Sequence, residues 1–268
     1  MTKTIKSEVG NALFAVEQVG SGKPVIFLHA GVADRRMWQP QMNALRKNYH
    51  AIAYDRRGFG ETSSPDEPFS HIEDLRHVIS ETGFETVSLV GCSQGGKIAI
   101  DFALAYPQHV DKLILIAPAI SGAPSLKDFP AEIEALGNEL DEADEAEDIE
   151  RINEIEAHMW LDGPLSKAGR VFGPIRELFL DMNGITLRMP ELLQEIESAS
   201  AYERVSEISR PTLVLWGDLD FPHLKDRCRY LTDSIPAAIG HEIPSTAHLP
   251  NLEKPDLVNS YLQDFLGA

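Results

Sequence analysis

The stretch Val87-Ser88-Leu89-Val90-Gly91-Cys92-Ser93-Gln94-Gly95-Gly96 decides how this chain is read. It begins as an apolar strand and ends as the small-residue start of a helix. Between the two lies G-x-S-x-G with Ser93 at its centre. A serine on such a turn sits in a strained backbone conformation that lifts its hydroxyl clear of the sheet. Strand and helix approach closely there, so the residues two positions away must be tiny. Gly91 and Gly95 meet that demand, and Gly96 adds room. The helix opening near Gln94 aims its free N–H groups and the positive end of its dipole at the same point. Chance occurrences of G-x-S-x-G are not rare; the strand before it and the helix after it are what make Ser93 a candidate nucleophile.

Outward from this turn, strands and helices alternate. Thr4–Val9 and Ala12–Gln18 flank Gly10-Asn11 and predict an N-terminal hairpin. Strands are predicted at Val25–His29, His50–Tyr54, Thr86–Cys92 and Lys112–Ala117, and helices at Met37–Leu45, Ile72–Thr82 and Gln94–Tyr106. Such repetition implies an α/β fold, a mostly parallel sheet with helices on both faces. From about Ser121 to Ser206 no strand pattern is evident. Helical spacing is read instead over Glu139–Met159, Arg170–Met182 and Glu191–Tyr202. Strand character returns at Pro211–Trp216 and Ala238–Ile243, and a terminal helix runs from about Pro255 to Leu266. The organisation is therefore a core domain, 1–120 and 207–268, interrupted by a helical insertion, 121–206.

The bulk properties narrow the function. At 268 residues the chain is long enough for a large core without disulfides. Of its two cysteines, Cys92 ends an apolar strand and reads as a small buried residue. The formal charge of -18 argues against a nucleic-acid partner. A large share of the acidic residues lies between Glu132 and Glu156. That cluster reads first as a solvated helical face, and second as a surface that steers cationic substrates. No signal region opens the chain and no apolar run approaches the roughly 20 residues of a membrane span, so a cytoplasmic location without a membrane partner is expected.

A serine nucleophile needs a base, and the base needs an orienting carboxylate. His248, in the loop after the last strand, fits the base; its competitor His241 lies inside that strand. The carboxylate is expected after the strand Thr212–Trp216, where Asp218 and Asp220 both stand. The oxyanion requires preorganised N–H donors. Gln94, next to Ser93, supplies one; the second falls in His29-Ala30-Gly31-Val32, with Gly31 preferred and Val32 in reserve. In the insertion, His158, Met159 and Trp160, with Phe172, Phe179 and Met182 further on, read either as packing or as pocket lining. Trp160, His158 and Val32 are the substrate-binding candidates.

Taken together, His29-Ala30-Gly31, Asp55-Arg56-Arg57-Gly58-Phe59-Gly60, Gly91–Gly96, Trp216-Gly217-Asp218-Leu219-Asp220 and Ala247-His248 resemble the α/β-hydrolase superfamily. The resemblance implies an eight-stranded sheet, a helical cap formed by the insertion, and a triad of Ser93, Asp220 and His248. It is this resemblance that selects Asp220 over Asp218. The usual His-Gly of the oxyanion loop is His-Ala here. The Asp55–Gly60 turn is implied to be structural. Relatives with Asp at the nucleophile position, the epoxide hydrolases and haloalkane dehalogenases, are disfavoured by Ser93. The expected activity is that of a carboxylesterase without cofactor or metal, acting on a small ester or lactone, as a monomer or homodimer. Alternatives are an enol-lactone or carbon–carbon bond hydrolase with the same triad, and a small-ligand receptor or signalling protein on this fold; a side activity as a cofactor-free haloperoxidase or perhydrolase is compatible with any of them.

Overall fold

The backbone at the Ser93 turn is packed so tightly that three chain segments share one small volume. A Cβ on Gly91 would lie 2.4 Å from the Gly95 carbonyl oxygen, and one on Gly95 would lie 2.2 Å from that of Leu28. A Cβ on Gly96 would lie 2.6 Å from the Pro118 side chain. These contacts lock the strand before Ser93, the helix after it and the neighbouring strand into one unit.

The computed structural model describes residues 3–126 and 128–267. Eight strands form one sheet: β1 (Lys3–Val9), β2 (Ala12–Gly20), β3 (Lys23–Leu28), β4 (Tyr49–Tyr54), β5 (Val87–Cys92), β6 (Val110–Ile116), β7 (Thr212–Gly217) and β8 (Ala238–Ile243). Their order is β1-β2-β4-β3-β5-β6-β7-β8. The hairpin partners β1 and β2 are antiparallel, and β2 is antiparallel to β4; every other pair is parallel. The central strands are apolar on both sides because both sheet faces are covered. Ile26 and Leu28 pack with Leu89, Leu115 and Val214 on one face; Val25 and Phe27 pack with Val90, Ile116 and Leu215 on the other. Helices α2 (His71–Glu81), α3 (Gln94–Ala105) and α7 (Pro222–Ser234) supply the first layer through residues such as Leu75, Phe102 and Leu231. Helices α1 (Gln39–Leu45) and α9 (Pro255–Gly267) supply the second through Met42 and Leu262. Both cysteines are buried and free, Cys228 on α7.

The helical segment between β6 and β7 differs in detail from its sequence reading. The acidic helix expected over Glu139–Met159 is two helices, α4 (Ala131–Glu145) and α5 (Ile149–Glu156), followed by a π-helical stretch at Ala157–Asp162. The break falls at Glu147, whose φ is 52°, and Asp148 restarts the helix by accepting the Arg151 N–H. A local cap outweighs continuous helical periodicity here. The helix expected over Arg170–Met182 is α6, Pro174–Leu187. Glu191–Tyr202 is not a helix. It runs extended along Phe69, whose N–H donates to the Gln194 carbonyl and whose carbonyl accepts from Ile196. Leu193 and Ile196, two of the apolar residues in that stretch, are exposed. No described helix is long and apolar enough to cross a membrane.

Replacing Gly95 with Ala forces its methyl group against the Leu28 carbonyl. The variant is expected to lose about 1–3 kcal/mol or more of stability, as overpacked sites do. A urea midpoint equal to that of the parent would refute the close-packing account.

Candidate active site

The turn at the end of β5 places Ser93 at φ 52° and ψ -116°, a conformation rarely adopted by residues with a side chain. It is held by its own backbone: the Ser93 N–H donates to the Ile116 carbonyl at 3.0 Å, and the Ser93 carbonyl accepts from Lys97 and Ala119 at 3.0 Å each. The start of α3 therefore lies directly behind the hydroxyl.

Strands β7 and β8 bring up the other groups. Beyond β7, Asp220 turns inward and is buried; its Oδ1 accepts the Phe221 N–H at 2.8 Å. Beyond β8, buried His248 binds Asp220 Oδ2 through Nδ1 at 2.8 Å. With Nδ1 occupied, the other ring nitrogen, Nε2, is buried without a hydrogen-bond partner. Asp218 serves the backbone instead. Its Oδ1 accepts the Thr246 N–H at 3.2 Å, bracing the loop that carries His248. His241, in β8, stacks on Tyr261 with ring centroids 4.6 Å apart.

Ser93 and His248 open on one cavity of about 240 Å³, lined also by Gly31, Val32, Gln94, Glu156 and Trp160. The Trp160 ring lies 4.8 Å from that of His248 and 4.8 Å from that of Phe221, so the π-helical stretch roofs the histidine. A π-helix shifts the register of following side chains, and such segments concentrate at functional sites. The other candidates from the insertion are placed elsewhere. His158 Nε2 is bonded to the Ser166 carbonyl at 2.8 Å and His158 does not line the cavity. Phe172 is exposed, Met159 packs with α4 and α5, and Phe179 and Met182 are buried against Ala157 and Leu161. Glu156 is a wall residue that sequence reasoning missed. It stands four residues after Ile152 and three before Met159, on the buried stripe of its helix; a carboxylate in an apolar stripe was the available signal.

The loop carrying Gly31 is held from behind. His29 Nδ1 lies 2.7 Å from the Ala30 carbonyl, and His29 Nε2 accepts the Arg56 N–H at 3.0 Å, so the ring is neutral with its proton on Nδ1. Burial lowers the His29 pKa well below the usual histidine range, which agrees. The Arg56 guanidinium donates to the Ala30 carbonyl at 3.3 Å and to Gln94 Oε1 at 3.2 Å, and sits 4.2 Å above the Phe59 ring. Burial lowers its pKa to about 10, still charged at neutral pH. In a trans peptide the C=O and N–H point oppositely. Anchoring the Ala30 carbonyl therefore turns the Gly31 N–H away from Arg56. The rest of the turn is structural: Asp55 accepts the Glu61 N–H at 2.8 Å and contacts Arg35, while Arg57 pairs with Asp74 at 3.0 Å. Among the described residues no group of three or more His, Cys, Asp or Glu is arranged to hold a metal ion.

The alpha/beta hydrolase fold family matches residues 23–255. The chain belongs to this family. It is 27% identical over 98% of its length to the AB hydrolase superfamily protein YisY of Bacillus subtilis (strain 168), covering 98% of that protein. It is 28% identical over 97% of its length to a 2-hydroxy-6-oxononadienedioate/2-hydroxy-6-oxononatrienedioate hydrolase of Comamonas testosteroni, covering 93% of it. In fold it resembles a thermophilic esterase from Thermogutta terrifontis, with a TM-score of 0.77 at 24% identity over 98% of both chains. As an α/β-hydrolase family member with serine, histidine and aspartate of the triad type, the chain is a hydrolase of small organic substrates.

The histidine loop makes stability depend on pH. Glu253, in the short helix α8 (Pro250–Glu253), accepts the Ala247 N–H at 2.6 Å and pairs with Arg170 at 2.6 Å. Burial nevertheless raises its pKa from 4.5 to about 7. Between these values the folded chain binds more protons than the unfolded chain, so this residue makes stability fall as pH rises through that window. The urea midpoint is expected to drop less between roughly pH 5 and 7.5 in Glu253→Gln than in the parent. Equal drops in both proteins would contradict the shift.

Proposed function

We propose that Ser93, His248 and Asp220 form the catalytic triad, and that the bond cleaved is one whose leaving group is a resonance-stabilised enolate: the carbon–carbon bond of a vinylogous diketone or the ring C–O bond of an enol lactone. The observation that carries the triad is His248, bound through Nδ1 to Asp220 while its unpaired Nε2 and Ser93 share one cavity. The leaving-group class is supported by the full-length similarity to the Comamonas enzyme.

Ser93 Oγ adds to the carbonyl carbon and its proton passes to His248 Nε2. Asp220 keeps the imidazole in the required tautomer and stabilises the imidazolium. The N–H groups of Gln94 and Gly31 receive the oxyanion, the first at the start of α3, the second turned outward by the anchored Ala30 carbonyl. Collapse of the tetrahedral adduct breaks the C–C or ring C–O bond, and the electron pair leaves as the enolate. The enolate takes the proton from His248. Water, deprotonated by His248, then adds to the acyl-serine; collapse expels Ser93 Oγ, which takes the proton back from His248, and a carboxylic acid is released. Trp160 and Val32 shape the space for the substrate.

The same triad opens a plain carboxylic ester. That second reading is supported by the cavity size: about 240 Å³ lies below the roughly 300–1,000 Å³ usual for ligand pockets and suits a short acyl group. A panel of a vinylogous diketone, a six-membered enol lactone and an aryl acetate separates the two. The proposal expects kcat/KM at least about tenfold higher on either of the first two, and a fall of roughly 10³-fold or more in Ser93→Ala with the fold retained. A preference for the aryl acetate would replace the enolate reading with the ester one; near-parent turnover by Ser93→Ala would remove the triad.

A further inference from the structure

Glu156 closes the end of α5 and forms part of the wall of the cavity that holds Ser93 and His248. None of the chemical steps above uses it. Its side chain is fixed by a short chain of amides. Asn183, on α6, donates through Nδ2 to Glu156 Oε2 at 2.6 Å and to Asn153 Oδ1 at 3.0 Å, and Asn153 in turn donates to the Leu180 carbonyl at 2.8 Å. Both asparagines are buried. Among the described residues no basic side chain pairs with Glu156. A carboxylate withdrawn from water without a cation carries a large desolvation cost. Its Oε2 is thus held by Asn183, and no positive side chain among the described residues answers its charge.

We infer that Glu156 is a specificity-determining residue: it accepts a cationic or hydrogen-bond-donating group, such as an ammonium, on the substrate whose carbonyl meets Ser93, and it excludes substrates that place a carboxylate there. This rests on the assignment of Ser93 as nucleophile and deepens it by naming the substrate's charge. The other ionisable groups near the cavity do not pair with Glu156. His248 is bound to Asp220 through Nδ1, and Arg56 lies behind Gln94, its Nη2 donating to Gln94 Oε1 and to the Ala30 carbonyl. The net charge of -18 acts in the same sense at long range, since an acidic protein draws cations and repels anions. Burial pushes the Glu156 carboxyl up and the Asn183 N–H opposes the shift; a bound cation would oppose it too and favour the ionised form. A site of this kind differs from one built for a dienedioate, the substrate in the Comamonas enzyme's name.

Arylboronic acids test this, because they form tetrahedral adducts with an activated serine and need no turnover. The probes are 3-aminomethyl-, 3-methyl- and 3-carboxyphenylboronic acid, assayed as inhibitors of the parent and of Glu156→Gln. Glutamine keeps an oxygen that can accept from Asn183, and the 3-methyl compound reports whether the variant's site is intact. In the parent the aminomethyl compound should bind at least about fivefold more tightly than the methyl one, and the carboxy compound at least about tenfold more weakly. In Glu156→Gln both ratios should shrink to within about threefold. Ratios that are the same in both proteins would overturn the role of Glu156 while leaving Ser93 in place. Inhibition by none of the three in either protein would overturn the serine reading, and this inference with it.

Discussion

Everything in this molecule that bears on chemistry depends on one close approach of backbone to backbone. At the end of β5 the chain reverses into α3 through Ser93 at positive φ, with the Gly95 carbonyl and the Leu28 carbonyl where side-chain carbons would otherwise be. The sheet is apolar on both faces and covered on both, so the turn is set into a scaffold that cannot relax around it. The same scaffold ends β7 and β8 beside it, which brings Asp220 and His248 together at 2.8 Å although 28 residues separate them. Electrostatics follows from that geometry: a helix start beside the serine, a neutral His29 and a charged Arg56 behind the Gly31 loop, and an imidazole held through Nδ1 by Asp220.

The segment between β6 and β7 covers this site. Its π-helical stretch sets Trp160 over His248, and the turn after it is held by Asp162, which accepts from Gly169 and Val171 at 2.7 Å each and pairs with Arg176 at 2.9 Å. Glu156, the last residue of α5, reaches the cavity wall immediately before that stretch.

Most of the core was legible because its signals are local. The glycines around Ser93 report a close approach. The apolar runs report a sheet covered on both sides. Asp220 and His248 follow strands that the sequence marks clearly. The helical segment was legible only in outline. Helical periodicity runs through Glu147, and nothing in it predicts that Asp148 caps a new helix there. Leu193 and Ile196 mimic an amphipathic helix, yet that stretch is tied to Phe69 by hydrogen bonds between distant residues. His158 and Trp160 lie two residues apart and looked equivalent. The π-helical stretch turns one to the cavity and the other to Ser166, and a register shift of that kind leaves no mark in composition. Glu156 was hidden among the other acidic residues of α4 and α5, although its place on the buried stripe set it apart.

The central claim is that the histidine–aspartate pair activates Ser93. Labelling with diisopropyl fluorophosphate, followed by peptide mapping in the parent and in His248→Gln, addresses it without knowledge of the substrate. The account predicts one phosphoryl group, on Ser93, in the parent and little or none in the variant. Labelling at another residue, or equal labelling of Ser93 in both proteins, would contradict it.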